Sequence, residues 1–159
     1  MKIRILAVGK IKEKYLRDAI AEYQKRLGRY CKLEIVEVAD EKTPDGASEA
    51  QEMQIKDTEG ERLLRCINAT DYVIALAIDG QMPDSVGLAR KIERLGLHGE
   101  SSICFVIGGS LGLSQKLLTR ANEQMSFSRL TFPHQLMRVI LLEQIYRSFR
   151  IIRGEPYHK

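Results

Sequence analysis

Residues 72–78 read Tyr72-Val73-Ile74-Ala75-Leu76-Ala77-Ile78, an almost unbroken apolar run, and residues 103–112 read Ile103-Cys104-Phe105-Val106-Ile107-Gly108-Gly109-Ser110-Leu111-Gly112. A strand with water on one face alternates apolar and polar residues. A strand covered on both faces need not, and the strands of a parallel sheet are covered by the helices that connect them. The first run therefore reads as a central strand ended by Gly80. The second reads as a short buried strand entering a glycine-rich turn. Outward from these, Lys2–Val8 is a buried strand stopping at Gly9, and Leu33–Val38 is a second strand, with Leu33 and Ile35 alternating with polar Glu34 and with Glu37 beyond. Between them Tyr15, Leu16, Ala19, Ile20, Tyr23 and Leu27 recur every three or four residues, an amphipathic helix ending near Gly28. Ser48-Glu49-Ala50-Gln51 fits a capping box that opens a helix toward Asn68. Asp84 or Ser85 caps a helix through Leu95, and Ser114 caps one through Ala121. Met125–Ser128 reads as a weak last strand. Pro133 suits the first turn of a final helix reaching about Ile152. Strands alternating with helices imply an α/β fold with a mostly parallel sheet flanked by helices. The polar Asp40–Ala47 loop is too short to separate domains, so residues 1–159 are expected to form a single one.

Composition supports a globular chain. Of 159 residues, 44% are hydrophobic and 29% charged, enough to bury a core without disulfides or a structural metal. No apolar stretch approaches the roughly 20 residues that cross a bilayer. The start, Met1-Lys2-Ile3-Arg4-Ile5-Leu6, lacks the apolar region of a signal peptide. Cys31, Cys66 and Cys104 are far apart and odd in number, and are expected to be reduced, buried thiols of a cytoplasmic protein. Charge is uneven. Residues 1–30 carry a net +6, residues 31–128 a net −6 and residues 129–159 a net +4. A polyanion can dock where two basic ends meet; the alternative is two solvated basic helices that never share a face. From Leu136 to Ile152 apolar residues lie on nearly every side of the last helix, so a partner subunit is expected to cover some of it, giving a homodimer.

Several catalytic signatures are absent. There is no Cys or His cluster with metal-ligand spacing, no GxxxxGK[ST] loop and no GxSxG elbow. Gly9 stands alone after the first strand, where a dinucleotide fingerprint would need more glycines. Three segments remain. Gly108–Gly112 follows a buried strand, where open α/β sheets bind ligands and glycines leave backbone amides accessible; an ordinary tight turn is the competing reading. Ser126-Phe127-Ser128-Arg129-Leu130-Thr131-Phe132-Pro133-His134-Gln135 joins hydroxyls, aromatics and a histidine between a strand and a helix. His134 near a helix N-terminus is expected to be neutral, because the helix dipole disfavours a cation there. The tail offers Arg147, Arg150 and Arg153, then Gly154-Glu155-Pro156-Tyr157-His158-Lys159. Glu143 sits one turn before Arg147, so some of that charge reads as an ordinary helical ion pair. The competing reading of the tail is a frayed polar end.

Taken together, Phe-Val-Ile-Gly-Gly-x-x-Gly-Leu, Ser-Phe-Ser-x-x-Thr-Phe-Pro-His-Gln, Glu-Gln-x-Tyr-Arg and the terminal Tyr-His resemble the ribosomal RNA large subunit methyltransferase H family, which belongs to the SPOUT class. Ala7-Val8-Gly9-Lys10 and Asp40-Glu41-Lys42 fit as well, and the resemblance spans essentially the whole chain. It implies a SPOUT fold with a C-terminal trefoil knot, a feature that physical priors alone argue against. It implies a homodimer that binds S-adenosylmethionine and methylates N3 of a pseudouridine in a 23S rRNA stem-loop on assembled ribosomes. By position, Leu76, Gly108, Gly109 and Gly112 would form one wall of the cofactor pocket. Phe127, Ser128, Arg129, Leu130, Thr131 and Phe132 would form the other. Tyr157, His158, Arg147 and His134 would stand at the methyl-transfer site. Leu111 departs from the polar residue usual in the family.

The inventory suits that chemistry. A sulfonium already activates the methyl group, so neither a metal nor an enzyme nucleophile is required, and aligning N3 with the methyl carbon is the main task. His158, directly or through water, is the expected acceptor of the N3 proton. Arg147 is expected to stabilise charge on a base carbonyl, and Tyr157 to stack on the splayed base. A related enzyme acting on tRNA, a non-catalytic ribosome-binding factor and a flavodoxin-like nucleotide binder are the alternatives.

Overall fold

The computed structural model describes residues 1–159. Strands β1 (Lys2–Val8), β2 (Lys32–Val38), β3 (Tyr72–Gln81), β4 (Ser102–Ile107) and β5 (Glu123–Met125) form one sheet in the order β2-β1-β4-β3-β5, every pair parallel. Helices α1 (Lys14–Leu27), α2 (Glu49–Cys66), α3 (Ser85–Leu97), α4 (Gln115–Arg120) and α5 (His134–Ile152) connect and cover it. The central strand is β4 rather than β3, because β3 has only the short β5 on its outer side. Burial agrees: every residue of β4 is buried, whereas β3 is buried only from Val73 to Ala75.

The two-residue period of a strand sorts the core into two layers. Ile3, Ile5 and Ala7 of β1 and Ile103, Phe105 and Ile107 of β4 pack with Leu27 of α1, Leu88 and Ile92 of α3, and Leu141, Leu142 and Ile145 of α5. Their alternates Leu6, Val8, Cys104 and Val106 face Leu63 of α2 and Leu117 of α4. Arg4, on that second face, is buried against Asp71 at 2.6 Å, and Asp71 also accepts the Ser102 hydroxyl at 2.7 Å.

The helix boundaries follow their caps. The Ser48 hydroxyl accepts the Gln51 N–H, and the Gln51 side chain accepts the Ser48 N–H, completing the capping box. Asp84 rather than Ser85 caps α3, and Ser114 caps α4. Two strand boundaries differ from expectation. Gly80 does not end β3, which continues to Gln81. A Cβ at Gly80 would stand 2.6 Å from the Met125 nitrogen, so glycine is needed there for the close approach of β5. β5 is Glu123–Met125 rather than Met125–Ser128. The Ser126 N–H makes the last bond, to the Gln81 carbonyl at 2.8 Å, and the chain then leaves the sheet.

The cysteines are unpaired, but only Cys104 is buried; Cys31 and Cys66 are half-buried. Burial pushes the Cys104 thiol up to about 12 and that of Cys31 to about 11. The basic chain ends do meet, since α1 packs along α5. There Arg26 lies over Tyr23 and Tyr146, and Arg153 over Tyr30. Leu141, Leu142, Ile145 and Phe149 of α5 are buried, while Leu136 is exposed and Val139 and Ile140 are half-buried. No helix is long and apolar enough to cross a membrane.

Candidate active site

A cavity of about 650 Å³, open to solvent, lies at the carboxyl ends of β3, β4 and β5. Its place is the one where open parallel sheets bind ligands. Leu76, Ala77 and Ile78 come from β3, and Ile107, Gly108, Gly109 and Gly112 from the end of β4 and the turn after it. Met125 to Ser128 and Leu130 to Phe132 form the facing wall, with His134 and Met137 of α5 beside them.

The glycine turn owes its shape to its glycines. The Gly112 N–H donates to the Gly109 carbonyl at 3.0 Å, and Gly112 sits at φ +92°, a left-handed conformation that other residues rarely adopt. A Cβ on Gly108 would stand 2.8 Å from the carbonyl carbon of Gly112. Behind the turn, a Cβ on Gly109 would meet the carboxylate of buried Glu59 at 3.0 Å. Glu59 also accepts the Glu41 N–H at 3.0 Å, which ties the loop after β2 to the glycine turn. The opposite wall is braced internally. The Ser126 hydroxyl donates to the Ser128 carbonyl at 3.0 Å, and the Ser128 hydroxyl accepts the Leu130 N–H at 2.9 Å.

His134 stands on the first turn of α5 at the cavity edge. Burial lowers its pKa below the ordinary imidazole value, the charge of Arg138 lowers it further, and Asp40 opposes them. The ring is therefore predominantly neutral at pH 7. One turn on, Arg138 is almost fully buried. It donates to the Val8 carbonyl at 2.8 Å, the Gly9 carbonyl at 2.6 Å and the Glu37 carboxylate at 2.6 Å, fastening α5 to the ends of β1 and β2.

The tail is ordered against α5 rather than frayed. Arg150 donates to the Tyr30 hydroxyl at 3.1 Å, to Glu155 at 2.6 Å and to the Pro156 carbonyl at 2.7 Å. Arg147 pairs with Glu143 at 2.8 Å, lies 4.8 Å from the Tyr157 ring centre and approaches Nδ1 of His158 at 3.1 Å. The Tyr157 ring packs edge-on against Tyr146, 5.0 Å between centres.

Of the residues expected to form the site, Leu76, Gly108, Gly109, Gly112, Phe127, Ser128, Leu130, Thr131, Phe132 and His134 line one cavity. Arg129 is exposed and does not line it. Tyr157, His158 and Arg147 do not line it either. Arg147 lies thirteen residues beyond His134 on α5, about 20 Å at 1.5 Å per residue. Within one chain, then, His134 and the tail cluster occupy opposite ends of a helix. Sequence reasoning missed Ala77, Ile78, Ile107, Met125, Ser126 and Met137. Most are apolar residues at strand or helix ends, alike in sequence to core residues. Ile78 closes the apolar run like a core residue, and only the structure shows it 61% exposed. No group of three His, Cys, Asp or Glu side chains is placed to hold a metal ion.

Residues 1–158 match the family model described as "Predicted SPOUT methyltransferase". The chain belongs to the SPOUT methyltransferase family. Its relatives include proteins named ribosomal RNA large subunit methyltransferase H from Bifidobacterium adolescentis, 65% identical, Bacillus pumilus, 60% identical, and Enterococcus faecalis, 57% identical, each matched over the whole of both chains. Among solved structures, a tRNA methyltransferase from Aquifex aeolicus matches with a TM-score of 0.55 at 12% identity, over 100% of this chain and 75% of that one. That likeness supports the SPOUT fold. The cavity thus lies in a methyltransferase whose glycine turn and facing loop enclose it.

Proposed function

We propose that this SPOUT methyltransferase uses S-adenosylmethionine to methylate N3 of a pseudouridine in a 23S rRNA stem-loop, in the cytoplasm, on the assembled ribosome. The observation that carries the reading is the cavity between Gly108–Gly112 and Ser126–Phe132, in a chain matched along its whole length by large subunit methyltransferase H proteins. The cofactor fits the residues present. Gly108, Gly109 and Gly112 leave backbone open to a ligand, and Leu76, Phe127 and Phe132 offer apolar surface to a flat adenine. The two arginine-bearing chain ends, interleaved with tyrosines, suit an RNA backbone and unstacked bases.

The cofactor supplies a methyl group already activated on sulfur. The protein orients the base and stabilises charge on it. Leu130 and Thr131 close the cofactor wall, and neutral His134 stands at its edge as a hydrogen-bonding group. Tyr157, His158 and Arg147 serve the base. Because α5 separates them from the cavity of their own chain by about 20 Å, they serve the cavity of a second copy, in a homodimer joined along α5. The partly open apolar strip of α5 at Leu136, Val139 and Ile140 supports that pairing. The reading includes the trefoil knot of the family and a single domain over residues 1–159.

The test is transfer of labelled methyl from S-adenosylmethionine to ribosomes from cells lacking this gene, beside free large subunits, naked 23S rRNA and tRNA. Label in 23S rRNA, strongest on intact ribosomes, is the expected result. Label in tRNA alone overturns the substrate, and no label in any RNA overturns the activity.

A further inference from the structure

Arg147 approaches Nδ1 of His158 through Nη1 at 3.1 Å. A guanidinium has five N–H donors and no acceptor, so Nδ1 must offer its lone pair to that contact. A neutral imidazole carries one ring proton, which then lies on Nε2. Arg147 is itself fixed on two sides. Its Nε donates to one Glu143 oxygen at 2.8 Å and its Nη2 to the other at 3.3 Å, a two-pronged contact. The Tyr157 ring lies 4.8 Å from the centre of the guanidinium. Three of the five donors are thus engaged within the chain, and Arg147 is held for the ring of His158 more than for a substrate.

We propose that Glu143 and Arg147 lock His158 in the tautomer protonated at Nε2, so that His158 donates a hydrogen bond to a carbonyl oxygen beside N3 instead of accepting the N3 proton. The inference rests on the proposed pseudouridine N3 reaction and assigns the tail's role in it. It reverses the acceptor role expected of His158 from the chemistry of its side chain. To accept a proton at Nδ1, His158 must break from Arg147 and place a second positive charge beside the guanidinium; Nε2 already holds a proton. In the reaction N3 gives its proton to solvent water, its electron pair forms the bond to the methyl carbon, and the carbon–sulfur bond breaks onto sulfur. Negative charge gathers on the carbonyl oxygens flanking N3 as the proton leaves, and the Nε2–H of His158 meets it there. Glu143 and Arg147 are positioning residues, acting through the ring.

Two measurements on the full chain test this. Nitrogen-15 spectra of the histidine rings, assigned by the signal lost in His158→Ala, are expected to show His158 protonated at Nε2 and bare at Nδ1. In Arg147→Met that preference is expected to fall toward a mixture of tautomers. In methyl transfer to vacant ribosomes, His158→Ala is expected to lower turnover on the order of 10²-fold, the loss typical of one such donor. His158→Gln, whose amide nitrogen falls near the Nε2 position but cannot serve as a base, is expected to recover most of that loss. An Nδ1-protonated ring, or a glutamine variant as slow as the alanine one, overturns the proposal. Absence of methyl transfer by the unmodified protein strikes instead the functional reading and the donor role with it, and the ring spectra tell the two failures apart.

Discussion

Gly108 and Glu59 show how narrowly the cavity is set. A methyl group on Gly108 has backbone, not a yielding side chain, in its path, so the turn must move. Gly108→Ala is expected to weaken cofactor binding by about tenfold or more, roughly 1.4 kcal/mol or above and within the usual cost of local backbone strain, with a smaller effect on unfolding; calorimetric titration beside a thermal melt checks both. Glu59 lies on the other side of the turn. Burial raises its pKa above the ordinary 4.5. The Glu41 N–H and Arg62 oppose that rise, while Asp40 and Glu41 add to it. The folded chain therefore binds this proton more tightly than the unfolded chain. The resulting stabilisation is complete below about pH 4.5 and is lost as pH climbs through the higher folded value. Glu59→Gln keeps an acceptor for the Glu41 N–H and removes the ionisation. Its stability is expected to gain on the parent's as pH rises across that window, in urea titrations at successive pH values. Parallel pH curves for the two proteins would remove Glu59 as the source.

At the scale of elements, α5 joins the cavity to the core. Arg138 holds two carbonyls at the end of β1 and the Glu37 carboxylate of β2. Arg138→Met leaves the Val8 and Gly9 carbonyls without that partner, while the exposed Glu37 carboxylate turns to water, and is expected to destabilise the fold by about 1–3 kcal/mol, the cost of buried acceptors left unpaired, seen as a lower denaturation midpoint. Sequence periodicity revealed α5 and Pro133 before it, but not Arg138, because a lone arginine in an apolar helix reads equally as a snorkelling surface residue. The buried strands were legible for a simple reason: continuous apolar runs have few other uses. The order of the strands was not, since nothing in the Tyr72–Ile78 run tells whether one neighbour or two will be long. β5 was misplaced because Met125 and Phe127 alternate with Ser126 and Ser128 as on a strand, and only the bond from Ser126 to Gln81 shows where pairing ends. The glycine turn and its facing loop were legible as segments. Their union in one cavity came from tertiary structure, as did the remoteness of the tail.

For the whole molecule the decisive fact is that remoteness. A chain lacking residues 157–159 is expected to bind S-adenosylmethionine within about threefold of the full chain and to lose turnover on the order of 10²-fold. Mixing it with Gly108→Ala chains under conditions that exchange subunits, at cofactor levels too low to fill the Gly108→Ala cavity, is expected to raise methyl transfer above that of either chain alone, since each mixed dimer of the proposed kind has one intact cavity facing one intact tail. If each tail served its own cavity, mixing would add nothing.

The sheet order also bears on how the chain is made. Lys2 pairs with Lys32 on one side and with Ser102 on the other. During synthesis β2 reaches β1 early, but β4 leaves the ribosome about a hundred residues after the strand it must join. Throughout that interval β1 presents an open edge of unpaired N–H and C=O groups flanked by apolar side chains, a surface on which strands of other chains readily add. The newborn protein is thus at its stickiest while most of it already exists, and safety comes only with its last third.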